Sequence, residues 1–206
     1  MTVPDELRGA WRRVGLEIDG EAVGTDGWTV LWLQAEECFA DIRIRDRRPG
    51  PGASVPPLSG PGAFAGRAHW HEPWLTWDHE LDMRAGAGRA VDRGRIERRG
   101  PRLAEHGELQ RSGRRVPYVE LWEPEPRQPE LPPSEPPQPE PPQSGSGPAA
   151  TSTERDEHRI RVEVGTLAIE VVDRRPAGAF RAALLRKSDD EATWSELAGL
   201  HEPGPG

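Results

Sequence analysis

The sequence has little of what defines several large classes of protein. Its single cysteine, Cys38, excludes an internal disulfide and a multi-cysteine zinc site. No apolar run approaches the ~18 residues that span a bilayer, and the N-terminus has neither the basic start nor the apolar core of a signal peptide. A glycine-rich dinucleotide motif, a Walker loop and a Gly-x-Ser-x-Gly elbow are also absent from the sequence. Nucleotide-dependent and α/β-hydrolase chemistry therefore have no sequence support.

A dense cluster of basic residues is absent as well, and much of the net acidic charge comes from one segment. The formal net charge is −8, and no dense Lys/Arg patch is present, which argues against general nucleic-acid binding. Residues 123–150 contain 11 of the 23 prolines and supply −4 of that charge, so the rest of the chain is closer to neutral. We therefore expect a soluble, cytoplasmic protein with neither a membrane nor a nucleic-acid partner.

Residues 123–157 form a low-complexity segment rich in proline and glutamate. Proline removes backbone donors, and little in the segment is apolar enough to offset the entropy of ordering it. We predict a disordered, acidic loop. It contains Pro-x-x-Pro matches such as Pro129–Pro132, so one alternative function is a protein-interaction module that recruits a partner through this loop. Because its flanks are acidic, an inert spacer is the other interpretation.

The remaining sequence predicts short β-strands separated by turns. Alternating or β-favouring runs recur at hairpin spacing, about ten in all, which is typical of an antiparallel sandwich or barrel. A capping-box pattern at Ser188–Glu191, followed by Trp194, Leu197 and Leu200, predicts one short C-terminal helix.

The predicted domain organisation is one β-barrel interrupted by the acidic loop. Only about 50 residues follow the loop, too few to bury an independent core, so we expect them to complete the upstream sheet. The barrel domain then comprises residues 1–122 and 158–200, with 123–157 as a loop insertion and 201–206 as a flexible tail. A separate C-terminal domain is the alternative.

Several motifs resemble those of a known family. Gly9-Ala-Trp11 is similar to the Gly-x-Trp start of lipocalins and other calycins. A longer series follows in order: Trp32-Leu-Gln34, Asp41-Ile-Arg43, Phe64-Ala-Gly66, Trp77 to Asp82, Asp92-Arg-Gly94, Leu103 to Gly107 and Tyr118 to Trp122. This series resembles a family of small calycin-like barrels related to the fungal Hri-type proteins, most with no assigned activity.

The resemblance implies an all-β, antiparallel calycin/lipocalin-like barrel of about eight to ten strands. It also implies that an arginine of the last strand, Arg181 or Arg186, packs over Trp11. The Pro-rich insertion after Trp122 departs from the family pattern. Because the family offers no established catalytic residues, the resemblance carries over no catalytic residue and no cofactor.

Alternation places polar residues on the same strand faces as aromatic rings. Trp77 and His79 share a face with Leu75, Leu81 and Met83. Tyr118, Glu120 and Trp122 share another face, and Asp41 and Arg43 accompany Phe39. If these faces point inward, the candidate cavity-lining residues are Asp41, Arg43, Trp77, His79, Tyr118, Glu120 and Trp122. Buried charges need partners, and Arg43 with Asp41 or Glu120 is a suitable pair.

Two functions and one purely structural role fit these residues. The leading hypothesis is a non-enzymatic protein that binds a small hydrophobic or aromatic ligand in the barrel. A self-satisfied polar network that fills the barrel is the structural alternative. A small acid/base enzyme that pairs His79 with Glu120 or Asp41 is the third possibility.

His69 and His71 share a strand face and resemble a metal-ligand pair, with Asp78 or Glu80 nearby. That face is predicted to point outward, so no metal ligand is assigned.

Overall fold

The computed structural model describes residues 1–25, 27–45, 58, 60–84, 91–125, 150–175, 178–188 and 193–202. The strands of its larger sheet are β1 (Gly9–Ile18), β2 (Glu21–Ala22), β3 (Trp28–Gln34), β4 (Cys38–Arg45), β5 (Gly62–His71), β6 (Trp74–Asp82), β7 (Val91–Arg99), β8 (Arg102–Arg111) and β9 (Arg114–Pro124). Each strand from β3 to β9 pairs antiparallel with the next, and β1 pairs with both β3 and β9. The eight strands β1 and β3–β9 therefore close into a barrel, as predicted.

The strands after the acidic segment do not join this barrel. They are β10 (Thr151–Arg155), β11 (Arg159–Val164), β12 (Leu167–Asp173), β13 (Phe180–Lys187) and β14 (Trp194–Glu202). These five strands pair among themselves in a second antiparallel sheet. The expectation that they complete the barrel sheet is wrong, because β1 and β9 close the barrel directly against each other.

The predicted C-terminal helix is also wrong, since residues 194–202 form strand β14. Ser188 does not cap a helix. Its backbone N–H donates to the carbonyl of Thr193 at 2.8 Å, and its Oγ accepts from the N–H of Thr193 at 3.2 Å. These bonds join the ends of β13 and β14. Gly199 lies within the segment, and glycine weakens a helix by ~1 kcal/mol relative to alanine. Pairing with β13 therefore prevails over a short local helix signal.

The boundaries of the acidic segment differ from the prediction at both ends. Strand β9 continues to Pro124, and β10 begins at Thr151. The predicted loop thus has strand at its start and near its end, while its centre, residues 126–149, lies outside the described residues. Of the predicted tail, residues 201–202 belong to β14, and residues 203–206 also lie outside the described part.

The second sheet packs on the outer face of the barrel. Ile160, Val162, Ile169 and Phe180 form one buried cluster with outward-facing barrel residues that include Leu31, Leu33, Ala40, Ile42 and Ala65. Strand β4 consequently has both faces covered, and its residues from Cys38 to Arg43 are all buried. Inside the barrel, a separate cluster contains Trp11, Trp32, Phe39, Leu75, Trp77 and Trp122. Strands β3–β5 therefore separate two apolar layers.

Two side chains from the second sheet reach polar groups of the barrel strand β6. Arg175 donates to the backbone carbonyls of Asp82 at 2.6 Å and Met83 at 3.1 Å. Arg155 donates to Glu80 at 2.7 Å. The predicted packing of Arg181 or Arg186 over Trp11 is not seen among the described residues, because both arginines lie on β13 of the second sheet. Trp32 is the ring that stacks on Trp11, with 6.2 Å between centroids.

The shared core predicts that the barrel and the second sheet unfold together. Ile169 is fully buried between them, so Ile169→Ala should lower the free energy of unfolding by about 2–5 kcal/mol. Leu197, 47% exposed on β14, is the matched control, and Leu197→Ala should cost less than about 1 kcal/mol. Urea unfolding would be followed by near-UV circular dichroism of the barrel tryptophans. An unchanged barrel midpoint in Ile169→Ala would contradict a common transition.

Candidate functional site

The seven residues predicted to line a cavity all line the same one. It lies inside the barrel and has a volume of about 210 Å³. Asp41 and Arg43 come from β4, Trp77 and His79 from β6, and the remaining three from β9. Period-2 alternation puts them on the inner faces of their strands, opposite residues such as Ile42 that face the second sheet.

Other lining residues were not among the predicted seven. The apolar ones are Trp32, Phe39, Leu58, Phe64 and Leu109, and the polar ones are Arg84, Asp92, Glu105 and Glu108. Arg84, Asp92 and Glu108 are exposed, so they mark the solvent side of the cavity. Glu105 is buried, and strand alternation could have predicted its inward orientation, because Glu105 is two residues from the buried Leu103 on β8.

A β-bulge in the β5–β6 pair determines which side chains of β6 enter the cavity. Ala65 pairs with Leu81 and Gly66 with His79, so Glu80 is the extra residue of β6. His79 therefore faces inward, whereas Leu81 joins the core shared with the second sheet. The prediction that Leu81 and Met83 share the inner face with His79 is wrong for this reason. The same shift brings Asp82 into contact with His79.

Two buried arginines are held by ion pairs at the cavity: Arg43 lines it, and Arg13 pairs with the lining residue Glu120. Arg43 Nε lies 2.9 Å from Asp41 Oδ1, and Arg13 Nη1 lies 2.5 Å from Glu120 Oε1. Each arginine also donates from Nη1 to the carbonyl of Leu58, at 2.8 and 2.9 Å respectively. The predicted pairing of Arg43 with Asp41 is present, and Glu120 has a partner, Arg13, that the sequence did not indicate. Burial raises the pKa of Asp41 in spite of the charge of Arg43.

His79 is held between carboxylates other than those considered from the sequence. Its Nδ1 lies 3.1 Å from Asp82 Oδ2, and its Nε2 lies 3.3 Å from Asp92 Oδ2. The ring also stacks on Phe64, with 4.3 Å between centroids and 9° between planes. Burial lowers the pKa of His79, but the contacts with Asp82 and Asp92 outweigh it and raise the pKa to about 9. His79 is therefore an imidazolium at neutral pH.

The pKa of Glu105 is raised as well, but in a carboxyl group a raised pKa favours the neutral form. Burial, followed by the nearby charge of Glu120, raises its pKa to about 8, so the carboxylic acid is mainly protonated at neutral pH. Its oxygens accept hydrogen bonds from Tyr118 Oη at 3.0 Å and Trp122 Nε1 at 3.2 Å. A Cβ at Gly94 would lie 2.7 Å from Glu105 Cγ, so glycine at that position lets the side chain lie against β7.

The polar network and the cavity are thus both present. The buried arginines and His79 have counter-charges, and space remains between the network and the rings. Trp32 lies at the inner end of this space, edge-on to Trp77 and Trp122 with 5.6 Å between centroids in each case. Such a wall of flat rings with a few fixed polar groups suits a small molecule that is partly aromatic.

The structure also tests the prediction that the histidine pair on β5 faces outward. His69 and His71 are exposed on the outer side of the barrel, and Ala68 between Arg67 and His69 packs inward. Within the described ranges, no group of three or more His, Cys, Asp or Glu residues is arranged to hold a metal ion. Cys38 is buried in the core shared with the second sheet, where burial raises the pKa of its thiol.

The titration of His79 is directly measurable. We expect an imidazole midpoint near pH 9 by NMR, compared with the ordinary 6.5. Because the folded-state pKa is the higher one, the protonated ring stabilises the fold below pH 6.5, and this contribution is lost as the pH rises through 9. Asp82→Asn should lower the midpoint, whereas Asp78→Asn, on the opposite face of β6, should not. A midpoint near 6.5 in the unaltered protein would contradict the arrangement.

The fold and the cavity together define a class: a closed, eight-stranded, antiparallel β-barrel with an internal cavity lined by rings and paired charges. This architecture is compatible with the calycin-like fold that the sequence motifs imply. Comparisons with protein-family profiles, with curated proteins and with solved structures find no match. No helix among the described residues is long and apolar enough to cross a membrane.

Proposed function

We propose that this protein binds a small ligand inside the barrel and does no chemistry on it. The observation that supports the proposal best is the cavity of about 210 Å³ on which all seven predicted residues converge. Burying so many ionisable groups is costly unless each is paired. The wall nevertheless keeps these groups around an open space. A barrel that needed only stability would be better served by apolar side chains filling it.

The arrangement of His79 favours binding over acid/base catalysis. The carboxylates in contact with His79 are Asp82 and Asp92, whereas Asp41 and Glu120 are engaged by Arg43 and Arg13. A general base works best with a pKa near the operating pH, and the pKa of His79 is raised to about 9. At neutral pH the ring is therefore a fixed donor and a positive charge.

The relationship to the Hri-type, calycin-like barrels is part of the same proposal. The motifs that carry the resemblance are also those that supply the cavity wall. Many residues both belong to these motifs and line the cavity: Trp32, Asp41, Arg43, Phe64, Trp77, His79, Asp92, Glu105, Tyr118, Glu120 and Trp122. A family pattern that coincides with one interior surface supports a binding role for that surface.

A ligand screen tests the proposal. Trp32, Trp77 and Trp122 line the cavity, so a bound molecule should change the tryptophan fluorescence, and a panel of small metabolites can be screened in this way. Hits would then be titrated by calorimetry. Leu109→Trp adds bulk at a half-buried lining position and should weaken binding at least tenfold.

The matched control for this screen is Leu197→Trp, which adds the same bulk on exposed β14 and should leave the affinity unchanged. Hits whose affinity is equally insensitive to both substitutions bind elsewhere. A panel that yields only such hits, or none, would count against a ligand site in the barrel.

A further inference from the structure

The buried charges at the cavity already have counter-charges. Among the described residues, Arg43 pairs with Asp41, Arg13 pairs with Glu120, and His79 contacts both Asp82 and Asp92. A charged ligand that entered this space would have to compete with an existing pair for its counter-charge, and an uncompensated charge away from water is strongly unfavourable. The buried part of the wall therefore disfavours both anions and cations.

One donor in this wall lacks an aligned acceptor. The Nδ1 of His79 is engaged by Asp82, while Nε2 is buried and has no hydrogen-bond partner among the described residues. Asp92 Oδ2 lies 3.3 Å from Nε2 as a charge partner, but this contact does not have the geometry of a hydrogen bond. Buried polar atoms without a hydrogen bond are uncommon in folded proteins and call for an explanation. A ligand atom that accepts from Nε2 would supply it.

Glu105 offers a second donor on the cavity wall. Because burial and the charge of Glu120 raise its pKa to about 8, it carries a proton at neutral pH, and a protonated carboxyl group has an O–H to donate. Tyr118 and Trp122 are themselves donors to its oxygens, so neither consumes that O–H. The charged and titratable groups that act on Glu105 from the packed strands are Arg43 of β4, Asp92 of β7, and Tyr118 and Glu120 of β9.

The remaining wall is aromatic, and the space is small. Phe64 stacks on His79, and Trp77 and Trp122 stand edge-on to Trp32 at the inner end. The volume of about 210 Å³ is below the ~300–1,000 Å³ of pockets for drug-sized ligands. A molecule of roughly one ring fits such a space, and flat surfaces suit a flat molecule.

From these observations we propose that the cavity binds a small, planar, uncharged molecule of about one aromatic ring, which carries a hydrogen-bond acceptor such as a carbonyl oxygen at its edge. The acceptor is positioned by His79 Nε2 and the carboxyl group of Glu105. This inference rests on the proposed binding function, and it adds the charge and the hydrogen-bonding character of the ligand.

Three probes of nearly equal size and shape test how the charge of the ligand affects binding. Benzamide is neutral with a carbonyl acceptor, benzoate is an anion, and benzamidine is a cation at neutral pH. Calorimetric titration of the full chain at pH 6.5 should give benzamide a dissociation constant at least tenfold below those of the other two. Leu109→Trp should weaken benzamide binding at least tenfold, which assigns the binding to the cavity.

The pH dependence of benzamide binding provides a second readout. Between pH 6.5 and 8.5, ionisation of Glu105 removes the donor and adds a negative charge, so the affinity should fall about fourfold. Glu105→Gln keeps the shape without the titration, and its affinity should change less than about 1.5-fold over the same range. Glu17→Gln, exposed on β1 and outside the cavity lining, is the matched control and should retain the dependence of the unaltered protein.

The outcomes distinguish this inference from the function on which it rests. If benzoate or benzamidine binds as tightly as benzamide and the binding is lost in Leu109→Trp, the neutral-ligand inference is overturned and the binding function stands. If none of the probes binds, the inference is overturned too, and the metabolite screen alone decides the function. Benzamide binding that is unaffected by Leu109→Trp would also overturn it.

Discussion

Gly66→Ala is expected to destabilise the protein by about 3 kcal/mol or more and to disrupt the candidate site at the same time. An ideal Cβ at position 66 would lie 1.9 Å from the backbone carbonyl oxygen of Asp78 and 2.8 Å from the backbone nitrogen of Glu80. Both are main-chain atoms of the facing strand, so no side-chain rotation relieves the overlap. The strands β5 and β6 would have to separate at the bulge.

The consequence extends beyond packing, because this bulge sets the phase of β6. It directs His79 into the cavity and Leu81 into the core shared with the second sheet. If β5 and β6 paired again without the bulge, Leu81 would move to the inner face, because a register shift of one residue reverses the face of every side chain beyond it. The variant should therefore lose the NMR signature of a high-pKa His79 even where it remains folded.

The matched control is Gly62→Ala on the same strand. The nearest atom to a Cβ there is the carbonyl oxygen of Gly60 at 3.9 Å, an ordinary contact. Its free energy of unfolding should stay within about 1 kcal/mol of the unaltered protein. Equal urea midpoints for the two variants would show that the close approach of β5 and β6 at Gly66 is incorrect.

The second large effect concerns the buried pair of Arg43 and Asp41. Arg43→Met removes the positive charge and leaves the carboxylate of Asp41 buried at 3% exposure, so we expect a loss of about 3–5 kcal/mol at pH 7. Burial already raises the pKa of Asp41 while Arg43 lowers it. Without the arginine, Asp41 should take up a proton more readily, and the loss of stability should become smaller as the pH is lowered.

A double-mutant cycle isolates the charge from the packing. Asp41→Asn in the Arg43→Met background removes the stranded charge and should recover a substantial part of the lost stability. Arg115→Met is the control, because Arg115 and Glu108 are 75% and 63% exposed and such pairs contribute less than about 1 kcal/mol. Chemical unfolding of the four proteins measures the coupling. A loss below 1 kcal/mol for Arg43→Met at pH 7 would mean that the pair is not buried as described.

The alternation of β4 and β9 made the candidate site predictable. Apolar and polar residues alternate from Ala40 to Ile44, so once either face of the strand is known to be inside, the other must be outside. Local sequence was enough to place Asp41 and Arg43 on one strand face and Tyr118 and Glu120 on another, and the structure shows that both faces point into the cavity. Whether the interior was open depended on how far apart the facing strands stand, which no local pattern records.

Partners across the barrel were not predictable in the same way. Arg13 is separated from Glu120 by 107 positions, and they meet because β1 closes against β9. Asp82 contacts His79 because Glu80 is the extra residue of a β-bulge. In the sequence, the only sign of this bulge is the glycine at position 66 of the facing strand. The proton on Glu105 depends on burial and on Glu120, which are properties of the assembled wall.

The sequence by itself therefore determined the barrel strands, the residues that share a face over most of them, and the position of the acidic Pro-rich segment, because these depend on periodicity and composition within a few residues. The tertiary structure decided how strands far apart in the chain pair. It assigned the last five strands to a sheet of their own, extended residues 194–202 as β14, and turned Leu81 outward at the bulge. These outcomes depend on packing between distant segments, whose energies a local pattern does not contain.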